Sequence, residues 1–441
     1  MSRSDWYADW FPRLIQWIGG LFGQDWVLPE GALLVLWAII AFTLIAVAAQ
    51  VAVIFLVLME RKVLAWLTQR KGPNRVGPWG LLQTLADGVK LLFKEDIINK
   101  GADKFLFIIG PAVFFLPAFV FYGLIPFTDK LLAVALPAGA LFVFAISAIS
   151  VVGIVLAGWG SNNKYSLLGG MRSAAQAISY EIPLVMAVLA VVLFTGTMNI
   201  ADIAKAQQGP FWNWFAILLT PMSLLIFFTS ALAEVNRIPF DLPEAESELV
   251  SGYNTEYGGM KFALFFLAEY ASLFAMSAFT TAFFFGGYYS PLGFFLMEKI
   301  GGAPAENLTG LLQFAVQCEM LFWFMIKTYF FIFLAMWIRA TLPRLKPDQL
   351  MGFSWKFLIP LSLVNVFVVA IEKYLIADSK GLYAQGGVPI TLVQTAPILS
   401  TASNWIAWII TLVIAGVVFF LFFTLMSRLL TKKLEARLAQ R

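Results

Sequence analysis

Five ionisable residues stand inside or at the ends of long apolar runs: Glu181 in "RSAAQAISYEIPL", Glu234, Glu269 in "FALFFLAEYASLF", and Glu319 and Lys327 in "QCEMLFWFMIKTYFF". A charged side chain at mid-bilayer costs about 2.5–3.5 kcal/mol on insertion scales, so its presence points to a polar interior or a water path. The matching chemistry is proton relay, because desolvation raises a carboxyl pKa and a nearby cation lowers it. Several apolar residues flank Glu269 and Lys327 on both sides, and for Glu269 a relay outweighs a structural pair. Glu181 reads equally as relay or pair. Glu234 can pair with Arg237 three residues on, and Glu319 can sit near the outer interface. A further set of acids crowds the loop "AEVNRIPFDLPEAESELVSGYNTEYGG", with Asp241, Glu244, Glu246, Glu248 and Glu256. There Asp241 can cap a short helix that Pro243 helps to start, with Glu244 at the capping-box position.

A second concentration of charge follows the first apolar run, in "ERKVLAWLTQRKGPNRVGPWGLLQTLADGVKLLFKED", Glu60 to Asp96. "GPNRVGP" is a turn cluster that cannot continue a helix. From Trp79 onward Leu81, Leu85, Val89 and Leu92 share one face while Gln83, Asp87, Lys90 and Lys94 share the other, which predicts an amphipathic helix lying on the membrane.

The elements that position these groups follow from composition. The 441 residues are 60% hydrophobic and 13% charged, with mean hydropathy +0.82, outside the range of soluble domains. One cysteine, Cys318, and no histidine leave too few ligands for a thiolate cluster, a haem or a zinc site. Cys318 reads as a small buried hydrophobe. A net charge of +4 does not suggest nucleic acid. A spanning helix needs about 20 mostly apolar residues. Nine segments qualify, at 32–58, 105–127, 131–157, 176–196, 211–233, 262–287, 311–338, 353–375 and 403–427, with kinks expected at Pro111, Pro117, Pro137, Pro183 and Pro360. The fold class is an all-α polytopic bundle. Most of the 30 lysines and arginines fall on one side of these spans, which places the N-terminus outside and the C-terminus in the cytoplasm. The first 30 residues, with acids and tryptophans where a signal peptide needs an apolar core, read as an interfacial extension.

Together with "WIRATLPRLKPDQLMGFSWKFLIPLSLVN", the quoted motifs resemble, in order from about Glu30 to Glu372, the H subunit (subunit 1) of respiratory complex I. The resemblance implies a subunit at the junction of the membrane and peripheral arms of a NADH:quinone oxidoreductase in the bacterial inner membrane. Such a subunit borders a quinone-access chamber but carries no redox centre, the iron–sulfur clusters and flavin belonging to partner subunits. Carried onto this chain, the chamber involves Arg61, Arg70, Arg75, Asp87, Arg237 and Arg339. The proton path corresponds to Glu181, Glu234, Glu244, Glu246, Glu248 and Glu269, with Lys327 in a similar context. The partners implied are the other complex I subunits, quinone and lipid. No metal site is implied.

The family core has eight spans, so 31–375 reads as that core and 376–441 as an extension with a ninth. Three other readings stay open. The chain could serve a related membrane-bound hydrogenase or a complex with another electron donor, act as a stand-alone ion transporter, or be a structural anchor. No internal repeat favours the transporter.

Overall fold

The computed structural model describes residues 30–218, 221–243, 249–296 and 311–379, with 409, 413, 416–420 and 424. Helices in chain order are α1 Glu30–Leu67, α2 Gln83–Phe93, α3 Lys104–Leu124, α4 Gly139–Gly160, α5 Lys164–Thr195, α6 Ile200–Ala206, α7 Phe215–Leu218, α8 Pro221–Glu234, α9 Gly259–Phe284, α10 Leu311–Thr341, α11 Pro347–Phe353 and α12 Ile359–Ser379. A π-turn, Ser354–Leu358, joins the last two. Among the described residues there is no strand, and seven helices are long and apolar enough to cross a membrane. The extensions expected at 1–30 and 376–441, with the ninth span, lie almost wholly outside the described residues.

α1 has 38 residues, which at 1.5 Å per residue is about 57 Å against a hydrocarbon core of about 30 Å. It is therefore longer than a span requires, and its last turns carry Glu60, Arg61 and Lys62. α9 is the hub of the core: it packs on α1, α2, α3, α8 and α10. Most of its residues from Ala268 to Phe284 are buried.

Several expected bounds differ: α5 begins at Lys164, twelve residues before 176, and α1 runs to Leu67, nine residues past 58. Helix α4 begins at Gly139, eight residues after the expected start. Thr128 Oγ1 accepts from Leu131 N at 2.9 Å, closing a turn, and Pro137 lies before the helix rather than kinking it. The segment 211–233 opens with a 3₁₀ turn, Phe211–Asn213, and its helical part is described from Phe215 onward, as α7 and the 14-residue α8 on either side of residues 219–220. Pro111, Pro117 and Pro183 are accommodated within α3 and α5, and Pro360 follows the π-turn inside the uninterrupted helical run that begins at Pro347.

α3 and α4 pack more extensively than any other pair of helices. A Cβ built at Gly153 would lie 2.5 Å from Phe114 N, and one at Gly110 would lie 2.9 Å from Ala157 Cα, so small residues set the helix separation. Gly153→Ala should lower stability by about 1–3 kcal/mol through overpacking. Gly123→Ala, where a Cβ meets nothing within 4 Å, should leave stability unchanged or raise it. Thermal denaturation of the purified complex distinguishes the two.

Candidate functional site

The charged cluster at the end of α1 is built on Glu60, a carboxylate only 3% exposed. Arg237 Nη1 donates to its Oε2 at 3.0 Å and to Oε1 at 3.2 Å. Arg339, near the end of α10, donates from Nη1 to Oε1. Glu60 thus joins three elements far apart in sequence and holds two of the expected chamber arginines together. Arg237 is itself buried, with its guanidinium carbon 4.1 Å from the centre of the Tyr270 ring. Burial works against its charge, and Glu60, followed by Tyr270 and Glu269, more than offsets that, raising its proton affinity. Its Nε and Nη2 are buried without a hydrogen-bond partner. The expected Glu234–Arg237 pairing is replaced by this one, because α8 ends at Glu234 and Asn236 turns the chain with φ 53°.

Beside the cluster, α1, α2 and the start of α9 border a groove of about 520 Å³. Its walls are largely apolar, with Val53, Leu85, Phe262 and Phe266 among them, and Arg61, Asp87 and Lys90 supply charge. Arg61 Nη1 donates to Asp87 Oδ2 at 2.5 Å. Burial alone would raise the Asp87 pKa, but the hydrogen bond and charge of Arg61 prevail and hold it below the ordinary value. The loop before α2 is shaped at Gly80, φ 77°, where a Cβ would lie 2.2 Å from Pro73 O. The helix itself begins at Gln83, and Leu85, Val89, Leu92 and Phe93 are exposed. Arg70 and Arg75 are exposed in this loop and do not border the groove; Arg70 Nε donates to Thr68 Oγ1 at 3.2 Å.

A second, much smaller space brings two of the expected relay acids together. Glu234 and Glu269 border one cavity with Asn236, Ser147, Ser150 and Ser272. Its volume is about 20 Å³, enough for about one water. Glu234 Oε2 is buried without a hydrogen-bond partner, and Glu181 on α5 is close enough for its charge to act on Glu234. Tyr253 donates its hydroxyl to Glu269 Oε1 at 2.9 Å. Glu244, Glu246 and Glu248 lie outside the described residues, as does the capping box expected with Glu244. Asp241 is bound by Arg344, Nη2 to Oδ2 at 2.6 Å.

Lys327 stands apart from this cavity. Its Nζ donates to the carbonyls of Phe285, Gly287 and Tyr289 at 2.7, 2.7 and 2.8 Å, and lies 4.6 Å from the centre of the Trp214 ring. Three carbonyls match the three N–H bonds of an ammonium, so the group clamps the turn after α9. Glu319 Oε1 accepts from Leu296 N at 2.9 Å. Cys318 is exposed rather than buried. Glu60 and Tyr253 were not singled out from the sequence; Glu60 opens the quoted charged stretch, the one signal pointing to it.

These features can be set beside known proteins. The model of the NADH dehydrogenase family matches residues 39–370. The chain belongs to that family. It is similar to the H subunit of NADH-quinone oxidoreductase from Brevibacillus brevis, 47% identical over 76% of this chain and 93% of the relative. The subunits of the same name from Rickettsia rickettsii, at 46% over 75% and 93%, and Dehalococcoides mccartyi, at 45% over 74% and 84%, are also similar. This family member is therefore a multi-pass membrane subunit of a complex I-type oxidoreductase, the family match running from within α1 to within α12.

The clamp has a testable consequence. Lys327→Met removes the donor from buried carbonyls, so the assembled complex should lose about 1–3 kcal/mol of stability. A lower melting temperature and faster proteolysis after α9 check it. An unchanged melting temperature with lost proton pumping would mark Lys327 as a proton carrier instead.

Proposed function

We propose that this chain forms the quinone-access chamber of its NADH:quinone oxidoreductase and links quinone reduction to proton translocation through its buried carboxylates. The observation that carries this reading is the groove between α1, α2 and α9. Apolar walls suit an isoprenoid tail, and a few polar groups at one place suit orientation of a head group. Arg61 and Asp87 supply those groups, the Glu60 cluster with Arg237 and Arg339 stands next to them, and Arg70 and Arg75, exposed in the preceding loop, act from outside the groove.

The proton path runs from the acidic loop, Glu244, Glu246 and Glu248, to Glu234, Glu269 and Glu181. Quinone is the substrate, bound jointly with partner subunits of the peripheral and membrane arms, and iron–sulfur clusters and flavin reside in those partners. In this reading the chain lies in the bacterial inner membrane, with its N-terminus toward the periplasm and the basic loops toward the cytoplasm. The apolar residues exposed on α2 then rest in lipid, where the quinone tail enters.

A photoreactive quinone analogue added to the assembled complex should label α2 and the adjoining ends of α1 and α9, and native quinone should compete that label away. Labelling confined to 376–441 would overturn the assignment.

A further inference from the structure

We propose that the Tyr253 phenol is a positioning residue for Glu269, and that the seating of its turn on α5 decides whether the bond between them is made. This rests on the reading of Glu269 as a proton station. Tyr253 is fully buried in a 3₁₀ turn, Gly252–Asn254, outside the membrane helices, yet its hydroxyl reaches Glu269 inside α9. Packing fixes the phenol: Phe265 meets its ring edge-on with centroids 5.2 Å apart, and Phe114 lies tilted at 6.3 Å.

The backbone of the turn rests directly on α5. A Cβ at Gly169 would lie 2.7 Å from Gly252 Cα and 2.8 Å from Tyr253 N, and Ser166 Oγ donates to Tyr253 O at 3.1 Å. Any side chain at 169 would lift the turn, and lifting it withdraws the hydroxyl from Glu269. The same segment leads at once into the start of α9, where Met260, Phe262 and Ala263 border the groove. An occupant pressing on those residues therefore acts on a stretch of chain only a few residues from Tyr253.

On the other side, Glu269 borders the cavity it shares with Glu234. Around that cavity α3 and α4 contribute neutral groups, Phe114, Phe121, Ser147 and Ser150. A carboxylate turns about its terminal torsion with a broad preference. The donated hydrogen bond selects one orientation and so sets how Glu269 faces Glu234. A lifted turn removes that constraint. The groove and the cavity are thereby linked through a hydrogen bond whose geometry depends on a helix–turn contact.

The test uses the whole complex and infrared difference spectra recorded on quinone reduction, with Glu269→Gln identifying the Glu269 carboxyl band. Tyr253→Phe keeps the ring and should shift that band and slow quinone reduction about tenfold, at unchanged subunit content. Gly169→Ala should produce the same shift with the hydroxyl present. A Glu269 band that is present but unmoved in Tyr253→Phe overturns the assignment of Tyr253 and leaves the proton station standing. A spectrum in which Glu269→Gln removes no band overturns the station, and this proposal with it.

Discussion

Glu60 is the charge on which the arrangement depends. A carboxylate almost withdrawn from solvent is tolerable only with cationic partners in good geometry, and losing one side of such a cluster costs about 3–5 kcal/mol. Here the partners come from the loop after α8 and the end of α10. That requirement draws three otherwise apolar elements together near the end of α1. The hydrophobic effect cannot do this between membrane helices, since lipid is as apolar as their side chains. Polar ties and close backbone contacts through small residues carry the specificity instead.

The groove and the cavity differ as their proposed tasks require. The groove is wide and largely apolar, open to an elongated ligand; the cavity is tiny and brings two acids and three serine hydroxyls together with apolar side chains. Arg237 lies over the Tyr270 ring, and Tyr253 donates to Glu269. The Arg237 guanidinium is electrostatically coupled both to Glu60, next to the groove's Arg61, and to Glu269, which borders the cavity. Coupling of this kind needs no long wire, only a few groups that two sites bias in common.

Much of this could be read from the sequence. The spans were visible because a run of about 20 apolar residues has few other uses, and the surface helix because its period separates leucines from charges. What escaped depends on contacts distant in sequence. Glu60 meets partners 177 and 279 residues away, so its burial leaves no local mark. Glu234 and Arg237 are spaced for a helical pair, but the helix ends between them. Cys318 was misplaced because lipid-facing and core-facing sides of a membrane helix are both apolar, which removes the contrast that periodicity relies on.

The central claim is that quinone chemistry at the groove and proton movement through the buried acids are one process. It is tested most directly by the proton-to-electron ratio and the quinone reduction rate of sealed vesicles bearing Glu234→Gln in the assembled complex. The substitution keeps size and removes the titratable proton. The expected result is normal subunit content with quinone reduction and pumping falling together. Full quinone reduction with full pumping would contradict it.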